Sequence, residues 1–258
     1  GTVIRAVREA FPAQAGVLAA LLAEQGVAGF EQPLEGKGGF YALYAGRQFA
    51  PEVLLAPADG GLWIEQLTFK PWPSCRGTHP YIQMALALRQ QHGLSADDVA
   101  QVRVGVGPMQ RMLVEPPLRK RAPATAIDAK FSIPFCVATA LGKGAVGLDS
   151  FGAGALADPQ VLALAAKVEA HQPAGAEGWR GDAGTLDIVL ADGRCLSAAL
   201  DRARGTPDDP IGEAELVDKF VDCAGRAANP MPVDTARALA DRILSVEDCG
   251  DAGSLFAI

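Results

Sequence analysis

Apolar residues recur along this chain in three textures, and each predicts a different kind of element. Residues 12–26, "PAQAGVLAALLAEQG", are rich in alanine and leucine, with polar Gln14, Glu24 and Gln25 at the flanks, which predicts a buried or nearly buried helix stopped by Gly26. From Pro80 to His92 the apolar positions Ile82, Ala85 and Leu86 share one face with Arg89. Thr78 stands where an N-cap belongs, Pro80 suits a first turn and Gly93 a C-terminal stop, so this stretch predicts an amphipathic helix. Val102, Val104 and Val106 alternate strictly after Val99, which predicts a strand. Two alternating runs flank Asp192-Gly193 within 184–200 and predict a hairpin.

Weaker patterns fill the rest. "LWIEQLTFK", 62–70, reads as strand-like or extended, and the aromatic run that ends 33–46 fits helix or strand. A mostly apolar helix is expected over 129–141, with Asp128, Lys130 and Ser132 at its head, and another over 158–172, capped by Asp158 with Pro159 in its first turn. Two tail helices, 211–228 and 233–247, flank "NPMP". Helices, then a strand-helix-helix-hairpin block, then helices again predict an α+β chain, in which a middle domain is inserted between helical segments that pack together.

Composition narrows the function classes. The 258 residues suit one large or two modest domains, and a net charge of -7 lacks the basic face a nucleic-acid binder needs. No run approaches the roughly 18 apolar residues of a membrane span, and the N-terminus does not read as a signal peptide. Five scattered cysteines, Cys75, Cys136, Cys195, Cys223 and Cys249, form no C-x-x-C pair, so no zinc site and a reducing, cytoplasmic setting are expected. Gly1 carries no initiator methionine before it, so the chain is expected to be processed, cut or incompletely represented.

Of three histidines, His92 and His171 fall at predicted helix ends, where a charged imidazole complements the dipole. His79 instead begins a helix, with Arg76 and Lys70 before it. That grouping fits a carboxylate pocket holding an acid/base, and it equally fits two solvated cations beside a turn. Cys75 fits a nucleophile or a small buried hydrophobe, and Asp128, Lys130 and Ser132 fit a site or a capped helix start.

"KPWPSCRGTHP" at 70–80 resembles the K-x-[YW]-P-x-C-x-x-T-H-P segment of the MmgE/PrpD family. "RAPATAIDAKFSIPFCVATALGKGAV" at 121–146 resembles that family's D-A-[KQ]-F-S segment, and residues 15–41 resemble a third block in the same order. The resemblance implies a large all-helical domain with a smaller α/β lid, the active site between them, and a homodimer. It implies helical-domain residues at 1–94, a lid at 95–205, and helices returning to the helical domain at 206–258. It also implies removal or relocation of a proton beside a carboxylate of a small di- or tricarboxylate, without metal or organic cofactor: dehydration of 2-methylcitrate, decarboxylation of cis-aconitate or epimerisation of iminodisuccinate.

On that resemblance His79 is the catalytic histidine, and Arg5, Lys70, Arg76 and Lys130 are expected to hold substrate, with the backbone N–H groups at the start of the 80–92 helix. Two positions depart from the family pattern. Arg5, Arg8 and Ala10 stand in place of K-x-x-H-x-G, and Phe135 stands where decarboxylase-like members carry tyrosine, which disfavours decarboxylation. The chain looks like the C-terminal part of such an enzyme, lacking half of the active site and inactive by itself. A non-catalytic carboxylate-binding or helical interaction domain is the alternative.

Overall fold

The computed structural model describes residues 4–46, 48–50, 52–53 and 62–256. Its helices are α1 (Ile4–Val7), α2 (Ala10–Glu24), α3 (Phe40–Tyr44), α4 (His79–His92), α5 (Pro117–Arg121), α6 (Ala126–Lys130), α7 (Ile133–Lys143), α8 (Ala153–Leu156), α9 (Pro159–Ala166), α10 (Glu213–Gly225) and α11 (Val233–Leu244). The strands are β1 (Val99–Gly105), β2 (Val168–His171), β3 (Gly184–Leu190) and β4 (Cys195–Leu200), ordered β2-β1-β3-β4. β1 runs parallel to β2 and antiparallel to β3, and β3 is antiparallel to β4, giving an α+β fold with a mixed sheet.

Alternation decides which face of the sheet is covered. Gly184, Leu186, Ile188 and Leu190 of β3 are buried, and the register sets Val102 against Ile188 and Val104 against Leu186. The result is one apolar face, on which α4 lies over β3 and β4 while α7 lies over β2 and packs against α4 and α9. The other face carries cross-strand polar pairs, Ser197 to Asp187 at 2.6 Å and Gln101 to Glu169 at 2.8 Å. Because α4 shares its core with the sheet, the core has no break at the expected 94/95 boundary.

Four expectations are corrected. The 158–172 helix is capped by Asp158 as expected, but it ends at Ala166, and Val168–His171 form β2. Its backbone serves the edge of β1: Val102 N–H donates to Lys167 O at 3.0 Å and Val106 N–H to His171 O at 2.9 Å. The 129–141 helix is two helices, α6 and α7, broken at Phe131-Ser132. The signal for that break was present, since Ser132 caps α7 by accepting Phe135 N–H at 3.0 Å and Pro134 sits in its first turn. Segment 62–70, expected to be strand-like or extended, begins instead with a 3₁₀ turn at Trp63–Gln66; Leu67 after it is extended, and no residue of the segment joins the sheet. Finally, α2 has no buried residue, and Val17 is 62 % exposed. A helix apolar all round needs cover on every side, and the described residues supply none.

The tail helices α10 and α11 pack together through buried Ala236 and Ala240, with Arg237 paired to Asp218 at 2.7 Å. Among the described residues no helix is long and apolar enough to cross a membrane.

The Ser132 hydroxyl also donates to Lys120 O, so this side chain joins two helices besides capping one. Ser132→Ala is expected to lower unfolding free energy by about 1–2 kcal/mol in urea titrations, because a cap and a buried acceptor lose their partner together. An unchanged urea midpoint would remove the assigned role.

Candidate active site

Why His79 sits where it does follows from its neighbours. Arg76–Thr78 form one 3₁₀ turn that runs directly into α4, so His79 N–H is already bonded to Arg76 O and Thr78 N–H to Cys75 O at 2.9 Å. Pro80 offers no N–H at all. The expected set of free backbone donors at this helix start is therefore reduced, which corrects the anion-site reading. Thr78 does not cap the helix either; its hydroxyl donates to Cys75 O at 2.8 Å and meets Ser74 Oγ at 2.7 Å. Tyr81 fixes the next turn by donating to Gly105 O, at the end of β1, at 2.7 Å. Gly184 makes room for that ring, since a Cβ there would lie 2.6 Å from Tyr81 Cζ.

His79 is 0 % exposed, and neither Nδ1 nor Nε2 has a hydrogen-bond partner. The Trp72 ring stands edge-on to it, with centroids 5.3 Å apart and planes at 77°. Burial first, then the charges of Arg76 and Lys70, lower its pKa from 6.5 to about 3. Backbone groups of Ser74 and Trp72 act in the opposite sense, without reaching hydrogen-bond geometry to either ring nitrogen. The imidazole is thus neutral at ordinary pH and unsatisfied, an unusual state for a buried polar group.

The two motif segments meet in space. Cys75 N–H donates to Lys130 O at 2.9 Å, and Cys136, on α7, has Thr78 and Ser74 hydroxyls as neighbours. Burial pushes the Cys136 thiol up to about 12, so it is inert at neutral pH. Asp128 is held by Arg119 at 3.0 Å and Thr125 at 2.9 Å; burial raises its carboxyl, while the bonds to Thr125 and Arg119 pull it down.

The expected substrate ligands fare differently. Lys70 is exposed and adds its field to His79. Lys130 is half-buried, with its ammonium 5.6 Å from the centre of the Phe151 ring. The Arg5 side chain lies outside the described residues. All donors of the Arg76 guanidinium are engaged within the chain: Nε and Nη2 on Asp182 Oδ2 at 3.4 and 3.2 Å, Nη1 on Arg204 O at 2.6 Å and Phe69 O at 3.5 Å, and Nη2 on Ala203 O. A cleft of about 440 Å³ reaches Cys75, Arg76 and Gly77, with Met112 and Arg180 on its walls, but His79 does not line it. Phe135 is fully buried beside Phe151, at 6.3 Å between ring centres, and offers no hydroxyl.

Sequence reasoning gave Trp72 no role and missed Asp182. The aromatic in "KPWPSC" was a readable signal for a ring against the histidine. Asp182, in "WRGDAG", carried none, because an acid beside loop glycines is ordinary surface chemistry.

Comparison with known proteins bears on the whole arrangement. Residues 72–243 match the family model of the MmgE/PrpD C-terminal domain. Human cis-aconitate decarboxylase is 26 % identical over 251 residues, 94 % of this chain and 50 % of that protein. The mouse cis-aconitate decarboxylase is 25 % identical over 247 residues, 92 % of this chain and 49 % of that protein. The chain thus spans about half the length of the curated relatives it matches. With both motif segments joined around one buried histidine inside the matched span, the chain belongs to the MmgE/PrpD family.

Proposed function

We propose that this chain carries the histidine side of a lyase site acting next to a carboxylate of a small di- or tricarboxylate, with elimination of water of the 2-methylcitrate dehydratase kind as its reaction. The carrying observation is His79: fully buried, with both ring nitrogens unpartnered, at the start of α4 and in the field of Lys70 and Arg76. A polyanionic substrate acts against the two cations that, after burial, hold the imidazole down. Its carboxylates offset the two cations and its polar hydrogens give the ring a partner, so proton transfer becomes available once substrate is bound. In the elimination, a base takes the proton α to a carboxylate, the electron pair forms the new double bond, and the hydroxyl on the adjacent carbon leaves as water after protonation. The cationic side chains stabilise the enediolate-like charge that develops. Lys70 and Lys130 are the proposed carboxylate partners from this chain, with Arg5 as a third.

Elimination needs an acid and a base, and the titratable side chains acting on His79 here are cations. We place the second acid/base on the half of the relatives' length that this chain does not match. Phe135 favours dehydration over decarboxylation, since a buried phenyl has no proton to give, whereas the names of the relatives favour cis-aconitate. The test is proton NMR in D₂O on the full-length protein with 2-methylcitrate, citrate, cis-aconitate and iminodisuccinate. Loss of the α-proton with alkene formation and no CO₂ is expected from 2-methylcitrate. CO₂ release from cis-aconitate alone would replace the dehydratase reading by the decarboxylase one, and no exchange on any of the four would end the lyase reading.

A further inference from the structure

The Arg76 fork does more than fill its own hydrogen bonds. Its partners come from three segments far apart in sequence: Phe69 before the motif, Asp182 in the turn before β3, and Ala203 with Arg204 after β4. Those segments are also tied to one another, by Ala203 N–H to Asp182 O at 3.2 Å and Phe69 N–H to Gly205 O at 2.8 Å. Arg204 is held twice, since its carbonyl accepts from Arg76 and its N–H donates to Gln83 Oε1 at 3.0 Å. Arg76 lies three residues before His79 and Gln83 four after, so the 203–204 backbone grips the histidine's turn on both sides. The turn at Gly77 sits close on the same loop: a Cβ there would be 3.2 Å from Gly181 O.

We propose that Asp182 and Arg76 form a latch through which the sheet's loops fix the place of His79, so that both are positioning residues and Arg76 is not a ligand of the substrate. This rests on the lyase reading of His79 for its catalytic consequence, though not for its structural one. The pair is well suited to the task. Side-chain exposure is only 20 % for Arg76 and 15 % for Asp182, and a planar guanidinium can bind a carboxylate and several carbonyls in one fixed geometry where an ammonium cannot. Because the latch joins the end of the hairpin and the turn before it to the start of α4, any shift of those loops is carried to the imidazole.

The decisive variants are Asp182→Asn and Asp182→Glu in the full-length protein, read by steady-state kinetics on the D₂O panel and by the His79 Cε1–H resonance of unliganded protein. The signals of His79, His92 and His171 are each assigned by their loss when that residue is substituted. The expected result for Asp182→Asn is a fall in kcat of roughly tenfold or more, KM within about twofold, a displaced His79 resonance and unmoved His92 and His171 signals. Asp182→Glu is expected to recover part of kcat and move the resonance back towards the wild-type position. If Asp182→Asn fails to fold, Gln83→Leu tests the other grip and is expected to displace the same resonance by a smaller amount.

A lower KM with unchanged kcat in Asp182→Asn would mean that Asp182 merely restrains an Arg76 that binds substrate, and would overturn the latch. An unmoved His79 resonance in every variant overturns it equally. If the wild type turns over nothing on the panel, the lyase reading fails alone, and the resonance still decides the latch.

Discussion

Replacing His79 by leucine is expected to make the protein more stable and inactive at once. Loss of the proton carrier should lower kcat by about 10²–10⁴-fold, the usual worth of one positioned acid/base. The stability gain follows from the two unpartnered ring nitrogens, because each buried polar group left unsatisfied costs about 1–3 kcal/mol and an apolar side chain of similar bulk removes both costs. Part is lost to imperfect packing, so a net gain of roughly 1–3 kcal/mol is expected, or about 2–4 °C in melting temperature per kcal/mol for a chain of this size.

The pH dependence sharpens the same prediction. The folded imidazole has its pKa lowered to about 3, against 6.5 for the ordinary group, so between these values the unfolded chain binds the proton and the folded one does not. Stability from this group is therefore intact above pH 6.5 and falls as pH drops towards 3, at up to about 1.4 kcal/mol per pH unit. By pH 5 the loss is about 2 kcal/mol. Urea unfolding of wild type and His79→Leu between pH 7 and pH 4 should show the two curves diverging as the solution is acidified, with the variant the flatter. Parallel curves, or a variant less stable at pH 7, would show that the imidazole is satisfied in the folded protein and that its burial carries no functional strain.

Which parts of this molecule were legible beforehand depended on how local their causes are. The β3–β4 hairpin was readable because Asp192-Gly193 and the alternation on both sides act within a few residues, and Gly193 indeed takes φ 88°. β2 was not, because four residues after a helix become a strand only when β1 offers them an open edge, and that edge lies more than sixty residues away in sequence. The break between α6 and α7 was readable in principle from Ser132 and Pro134, but an apolar run on both sides masked it.

The site divides in the same way. His79 could be found because a helix start, two cations and a motif lie within ten residues of it. Its neutrality could not, since burial, with the Trp72 ring edge-on to the imidazole, is a tertiary effect. Arg76 showed the opposite failure. Its charge was plain in sequence, but a charge suggests a ligand only until its partners are known, and those partners come from residues 69, 182, 203 and 204. The apolar character of α2 was read correctly from composition, whereas its burial was an inference about neighbours that the described residues do not include.

Gly205→Ala is expected to be the most damaging glycine-to-alanine substitution among the described residues. Gly205 takes φ 92°, a conformation costly for any residue with a Cβ, and a Cβ built there would lie 2.2 Å from the Phe69 carbonyl oxygen. That oxygen belongs to backbone, so no side-chain rotation relieves the overlap, and the loop or the 69–71 segment has to move. Movement breaks Phe69 N–H to Gly205 O at 2.8 Å and disturbs Gly205 N–H to Asp209 O at 2.7 Å. It also displaces an acceptor of Arg76, so the damage reaches the latch. Strain and lost bonds together are expected to cost roughly 3–5 kcal/mol, which lowers the melting temperature by about 6–20 °C. Gly225→Ala supplies the contrast: it ends α10 with nothing within 4 Å of a built Cβ, and alanine there should stabilise by about 0.5–1 kcal/mol. Differential scanning calorimetry of the pair separates the causes. Equal shifts would mean that general loss of glycine, rather than the collision with Phe69, decides the outcome, while a cooperative transition for Gly205→Ala at the wild-type temperature would show that residues 69 and 205 do not touch in solution.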